Sequence, residues 1–116
     1  MTDDLAAVFE PILQIRGVRG AMIVSAADGV VVAASLMEDV DGDAFAALTA
    51  SLVGRLGSLT DLAGQGAPRC VQLHAEHGAV FLATGPADLL LVVLAGSGTP
   101  VGLARLQVIQ AAGQLG

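Results

Sequence analysis

Lysine is absent from this 116-residue chain, as are tryptophan and tyrosine, and there is a single cysteine, Cys70. Without lysine there is no phosphate-loop lysine, no Schiff base and no lysine general base. Three phenylalanines are the only large aromatics, poor material for a sugar, nucleobase or flavin platform. One cysteine excludes an internal disulfide framework and a cysteine-rich zinc site. Charged residues make up only 14 %, against about 25 % in an average soluble domain. The basic residues are Arg16, Arg19, Arg55, Arg69 and Arg105, and the net charge of −6 argues against nucleic acid as a partner. The longest apolar run, Leu89 to Gly96, is far short of the ~20 residues a membrane helix needs. The acidic start Met1-Thr2-Asp3-Asp4 lacks the basic opening of a signal peptide. The expectation is a cytoplasmic protein without a membrane partner, built as one domain over residues 1–116.

What the chain has in excess is apolar surface, 54 % of residues. That rules out disorder and suggests that part of the outside is covered by something else. Leu5, Val8, Phe9, Ile12 and Leu13 are spaced for a helix over Asp3 to Ile15, with Pro11 kinking or restarting it. Gly20 to Ala26 and Val30 to Ser35 are short apolar runs around Asp28-Gly29, a hairpin signal. Asp41 or Asp43 can cap a helix from Ala44 to Ala63 that ends near Gly64 or Gly66. Arg69 to Ala75, Ala79 to Thr84 and Leu89 to Ala95 form a meander. Thr99 as cap and Pro100 at the first turn open a last helix whose buried side is expected to be Leu103, Leu106, Ile109 and Leu115. Leu89 to Ala95 is apolar throughout and should be central, covered on both faces. The expected fold is α/β (α+β): a five-stranded antiparallel sheet between the long middle helix and the terminal helices. Val30 to Ser35 and Arg69 to Ala75 are its edges.

The middle helix carries the functional argument. Phe45, Leu48, Leu52, Leu56, Leu59 and Leu62 form a stripe expected to face the core. The other faces carry Ala46, Ala47, Ala50, Ser51, Val53, Gly54, Gly57 and Ser58, with charge only at Asp43, Arg55 and Asp61. Interior glycines cost a helix about 1 kcal/mol each relative to alanine, and close approach of another backbone is a compensation. A second copy of the chain would supply it; the other reading is a merely alanine-rich surface. Pairing of the Arg69 to Ala75 edge with its twofold copy would place Cys70, Gln72 and His74 at the same homodimer interface and protect the edge.

Chemistry-bearing motifs are few. Cys70, His74, Glu76 and His77 are the only ligand-type cluster, and the spacing of Cys70 and His74 does not suit shared ligation. His-x-Glu lacks the downstream cysteines of a zinc deaminase. Cys70 is either a plain buried thiol or, near a dimer seam, a site of intersubunit oxidation. Gly96-Ser97-Gly98-Thr99-Pro100-Val101-Gly102 approaches a dinucleotide loop but lacks the following strand and acidic residue, so it reads as a loop into a helix. No catalytic, cofactor-binding or metal-binding residue is assigned, and no cofactor is expected.

The segment Gly17-Val18-Arg19-Gly20-Ala21-Met22-Ile23-Val24 leading to Asp28-Gly29, then Val32-Ala33-Ala34-Ser35, resembles the roadblock family. That family is related to dynein light chains and to bacterial gliding-type regulators of Ras-like GTPases. The Ala/Leu-rich middle helix and the Leu103-Ala104-Arg105-Leu106 helix complete the likeness, which covers nearly the whole chain. Arg16 stands where the family pattern has proline. The resemblance implies a dimer with a continuous sheet across the dyad. It also implies a non-enzymatic role in regulating a small Ras-like GTPase, by activation or by biasing its switch state. Arg55 is the best placed arginine for insertion into a GTPase site, but regulation through the GTPase's own switch residues is favoured. The alternatives are a scaffold pairing with another roadblock-type chain or a sensor kinase, and a small-ligand sensor.

Overall fold

The computed structural model describes residues 7–35 and 39–115. Helix α1 (Phe9–Leu13) leads into strands β1 (Val18–Ser25) and β2 (Val31–Ser35). The long helix α2 (Gly42–Leu62) follows, then β3 (Cys70–Ala75), β4 (Gly78–Thr84), β5 (Leu89–Gly96) and helix α3 (Val101–Gly113). The five strands form one antiparallel sheet in the order β2-β1-β5-β4-β3. The apolar run of β5 is therefore central, and β2 and β3 are the edges, as the residue pattern requires.

Both faces of the sheet are covered. On one, Phe9 and Ile12 of α1 and Ala104, Val108, Ala111 and Ala112 of α3, with Leu115, pack on Ala21, Ile23, Phe81, Leu91 and Val93. On the other, Ala46 of α2, flanked by Phe45, Leu52 and Val53, packs on Met22, Val24, Leu82, Leu90 and Val92. Each large side chain fully buried in this way contributes about 1.5–3 kcal/mol.

Two helix orientations differ from expectation. In α3 only Leu115, just past the helix end, is buried among the four residues expected inside; Leu103, Leu106 and Ile109 are exposed. In α2 Phe45 and Leu52 of the expected stripe do pack against the core, but Leu48, Leu59 and Leu62 are turned away from it, and Ala46 and Thr49 are the buried positions. The reason is the same in both. Small side chains let a helix axis approach a sheet already carrying Leu, Ile, Met and Val, and close packing favours that fit. Bulky leucines on the same side would hold the helix off.

The hairpin turn fixes α2 further. Gly29 has φ +69°, and a Cβ there would lie 3.2 Å from Ala47 Cα and 3.5 Å from Ala50 Cβ. The Gly29 N–H donates to Ser25 O and the Ser25 N–H to Val30 O, each at 2.9 Å. Asp28 Oδ1 accepts from the Val30 N–H at 3.4 Å. At the start of α2, Asp41 Oδ1 accepts from the Ala44 N–H at 3.2 Å, so Asp41 is the cap. At its end, Gly64 (φ +70°) donates to Asp61 O and Gln65 to Thr60 O, the Schellman pattern.

Helix α1 stops at Leu13, two residues short of the expected end at Ile15. It begins at Phe9 with Pro11 in its first turn, where the missing N–H costs no helical bond; residues 3–6 of the expected helix lie outside the described residues. Thr99 does not cap α3: the cap position is Pro100 and no side chain bonds there. The Thr99 hydroxyl is instead buried beside Gly17, where a Cβ would sit 2.5 Å from it.

The two turns lend themselves to stability measurements. Gly29→Ala adds left-handed strain and crowds Ala47, and should lower unfolding free energy by about 1–2 kcal/mol, read from the midpoint of denaturant unfolding. An unchanged midpoint would contradict the contact between the turn and α2. The β4–β5 turn places Ala87 and Asp88 at φ 59° and 60°, the mirror-type turn that favours Asn-Gly. Ala87→Gly should therefore raise stability by roughly 0.5–1 kcal/mol, the relieved strain less the flexibility of glycine.

Candidate protein–protein interface

Helix α2 has three sides. Ala46, Thr49 and Val53 turn to the sheet. Ala47, Ser51, Gly54 and Ser58 lie along one flank, exposed. The opposite flank carries the leucines, with Leu48 73 %, Leu59 62 % and Leu62 90 % exposed, and Leu52 and Leu56 half-buried beside them. Arg55, also exposed, stands among these leucines. The helix packs over β1 and β2. On the same sheet face, Leu73 of β3 is left 45 % exposed and Val71, Val80 and Leu94 are half-buried.

This geometry redistributes the residues expected at a dimer interface. Ala46 and Val53 are used inside the chain, because the sheet takes the small side of the helix. Ala47 and Ala50 meet the Gly29 turn. Gly57 faces only Pro68 Cδ at 3.9 Å, and Gly54 has nothing within 4 Å of a built Cβ. Gly54, Gly57 and Ser58 line an open depression with Asp61, Gly66 and Ala67, and the Ser58 hydroxyl donates to Gly54 O at 3.3 Å. The residue pattern does not reveal the leucine flank as a surface, because leucines and small residues have the same helical period, and periodicity alone does not say which side the sheet accepts. The Asp28-Gly29 turn, which needs small residues under it, is the available signal.

Strand β3 places Cys70, Gln72 and His74 on the α3 side of the sheet, opposite Ala83, Phe81 and Ala79. The His74 ring meets Phe81 edge-on with centroids 6.5 Å apart. Cys70 is half-buried; burial pushes its thiol pKa above the ordinary value, and the Arg105 charge partly opposes that rise. Such a thiol is a weaker nucleophile at neutral pH than an exposed one. Glu76 and His77 approach to 3.9 Å in the exposed β3–β4 turn. Among the described residues, no group of His, Cys, Asp and Glu gathers as a metal site, and no helix is long and apolar enough to cross a membrane. Arg19 pairs with Asp39 at 3.2 Å. The loop after β5 is tied to the chain before β1 by the Gly96 N–H donating to Gly17 O at 2.8 Å.

On α3, the outward side carries Leu103, Leu106 and Ile109, each about half exposed, with Arg105 among them. The molecule thus presents leucine-rich helix surfaces on both sides of one sheet.

Comparison with known proteins bears on what these surfaces are for. MglB of Myxococcus xanthus superposes with a TM-score of 0.89 at 20 % identity, over 97 % of this chain and 84 % of that one. The gliding protein MglB of Thermus thermophilus gives 0.87 at 21 %, over 97 % and 85 %. A Roadblock/LC7 domain from Streptomyces avermitilis gives 0.80 at 20 %, over 95 % and 90 %. These likenesses establish the shared fold. No curated protein sequence is matched by the chain. Residues 5–95 match the Roadblock/LC7 domain as a family, which covers the hairpin, α2 and the meander, and the chain therefore belongs to the Roadblock/LC7 domain family.

Proposed function

We propose that this protein is a non-enzymatic, homodimeric regulator of a small Ras-like GTPase. The observation that carries the reading is the exposed leucine flank of α2, Leu48, Leu59 and Leu62, on the same sheet face as Leu73. Leucines exposed to this degree along one helix mark an interaction surface, and a second copy covers them by placing its own α2 against them. Likeness to MglB supports a gliding-type regulator. A regulator of this kind works by binding one state of the GTPase switch loops better than the other. It needs no polar active site of its own.

The scaffold reading, in which the chain joins another roadblock-type chain or a sensor kinase, has one observation in its favour. The outer leucines of α3 form a second apolar surface across the sheet from the first, so one protomer can hold two partners at once.

In light scattering at micromolar concentration the native protein should run as a dimer, and Leu48→Glu with Leu59→Glu as a monomer. Each leucine buried twice per dimer contributes about 1.5–3 kcal/mol per copy, so even Leu59→Glu alone should weaken association about 100-fold or more. A native monomer would contradict the reading. Nucleotide hydrolysis or exchange by a cognate GTPase should change on adding the dimer, and binding should depend on the bound nucleotide; if neither holds, the regulatory role is wrong. Arg55→Ala should change that effect by less than about tenfold, because an inserted arginine contributes on the order of 1,000-fold or more.

A further inference from the structure

Burial fixes which way helix α3 faces. Ala104, Val108, Ala111 and Ala112 pack on the sheet. At about 3.6 residues per turn, Leu106 points directly away from them, with Leu103 on one flank and Ile109 on the other, all three about half exposed. The Leu103 flank looks toward α1, where Leu103 and Gln107 share an open groove with Pro11, Ile15 and Arg16. The Ile109 flank also carries Arg105, one helical turn earlier. Arg105 stands near enough to Cys70 of β3 for its charge to bear on the thiol. An apolar stripe is thus bordered by an arginine on each side.

Neither arginine meets a carboxylate among the described residues, where the ion pairs are Arg19 with Asp39 and His77 with Glu76. Arg16 and Arg105 are both exposed, and Arg16 donates to Gly98 O at the long distance of 3.5 Å. Helix α3 has no acidic side chain, and the lining of its groove with α1 has none. The net charge is −6, yet the described carboxylates lie in the turns, at and on α2, and at Glu10, which lines the separate groove toward β2. This face is the basic one of an acidic chain.

We propose that the outer face of α3 holds an amphipathic helix of another protein, apolar along one stripe and acidic on both borders of that stripe. This rests on the scaffold reading and names its partner. Apolar side chains of the incoming helix seat on Leu106 and in the groove beside Leu103, the helix-in-groove mode, while its carboxylates meet Arg16 on one border and Arg105 on the other. Charge of this kind selects the partner and fixes its orientation more than it adds affinity. A second copy of this chain does not complement the face. In a twofold contact over Leu106 an arginine border meets an arginine border, whether the two helices run parallel or antiparallel, and like charges across a contact cost free energy.

The probes are two synthetic peptides of about 18 residues, long enough to hold a helix. One has leucines along one stripe and glutamates on both borders; the other has lysines in place of the glutamates. Binding to the full-length protein is read by fluorescence anisotropy at low salt, where surface charge acts most strongly. The glutamate peptide should bind at least about tenfold tighter than the lysine peptide. Long-range attraction to a chain of net charge −6 would give the opposite order, so the expected one reports the local arginines. Leu106→Glu should weaken the glutamate peptide about tenfold or more, the worth of one buried leucine. Arg16→Glu with Arg105→Glu should reverse the preference. These three positions are exposed, so the unfolding midpoint should hold. Leu48→Glu with Leu59→Glu, on the other sheet face, should leave the glutamate peptide bound as before.

If both peptides bind alike and both are lost with Leu106→Glu, the acidic partner is wrong while the scaffold reading stands. If neither binds, the proposal falls and the scaffold reading loses its supporting surface with it. Glutamate-peptide binding that survives Leu106→Glu but not the α2 substitutions places the site on the other face and overturns the proposal. So does a native protein that scatters as twice the dimer mass and returns to a dimer with Leu106→Glu, since a second copy then covers the face. Binding to phosphatidylserine vesicles that Leu106→Glu abolishes, with neither peptide bound, makes the face a lipid surface and overturns it too.

Discussion

The burial of β5 on both faces is the constraint on which this structure depends. Leu90, Leu91, Val92 and Val93 are almost wholly removed from water, and successive residues of a strand point to opposite sides. Both sides of the sheet must then be roofed. The chain has one long helix and two terminal ones to do it, and the sheet already carries the bulky residues. The long helix and α3 accordingly bring mostly small ones: Ala46 and Thr49 on one side, and Ala104, Ala111 and Ala112 beside Val108 on the other, where α1 adds Phe9 and Ile12. Close approach of each roof to the sheet follows, and so does the need for Gly29, whose turn sits on Ala47 and Ala50 without room for a side chain.

Once small residues are committed inward, the leucines have to go elsewhere, and this links the packing to function. A helix that faced the sheet with leucines would have left alanine and glycine to the solvent and a surface with little to offer a partner. The arrangement adopted does the reverse. Its core is tight but contributes less per helix residue, and its outer flanks carry Leu48, Leu59, Leu62, Leu103, Leu106 and Ile109. Apolar area left exposed by one chain is free energy available on association.

The sheet was legible in the sequence because its signals are local and strong. Asp28-Gly29 marked the hairpin, Asp41 or Asp43 the start of α2, Gly64 or Gly66 its end, and the unbroken run at Leu89 the central strand. Strand order followed from asking which strand has to be covered twice. Helix orientation was not legible, because leucine and alanine stripes on α2 and α3 share a period and hydrophobicity does not record how much room the sheet leaves. The Thr99 cap failed for a related reason: its hydroxyl faces Gly17, a residue distant in sequence. The family likeness was carried by the β1–β2 segment, where backbone demands restrict the residues, and not by any catalytic motif.

The composition of the chain also bears on the role proposed for it. Lysine is absent, charges are few and burial disfavours ionisation of the one thiol, so the proposed regulation rests on shape and apolar area. Shape alone can regulate only if it fits two states of a partner unequally, since equal affinity shifts nothing however tight the binding. Rigid presentation serves that requirement. The leucines of α2 sit on a helix capped at both ends, pinned by a turn and roofing a sheet whose central strand is fully buried. In the proposed role, a partner whose loops change state meets a surface held by these contacts, and misfit costs free energy in the state that fits less well.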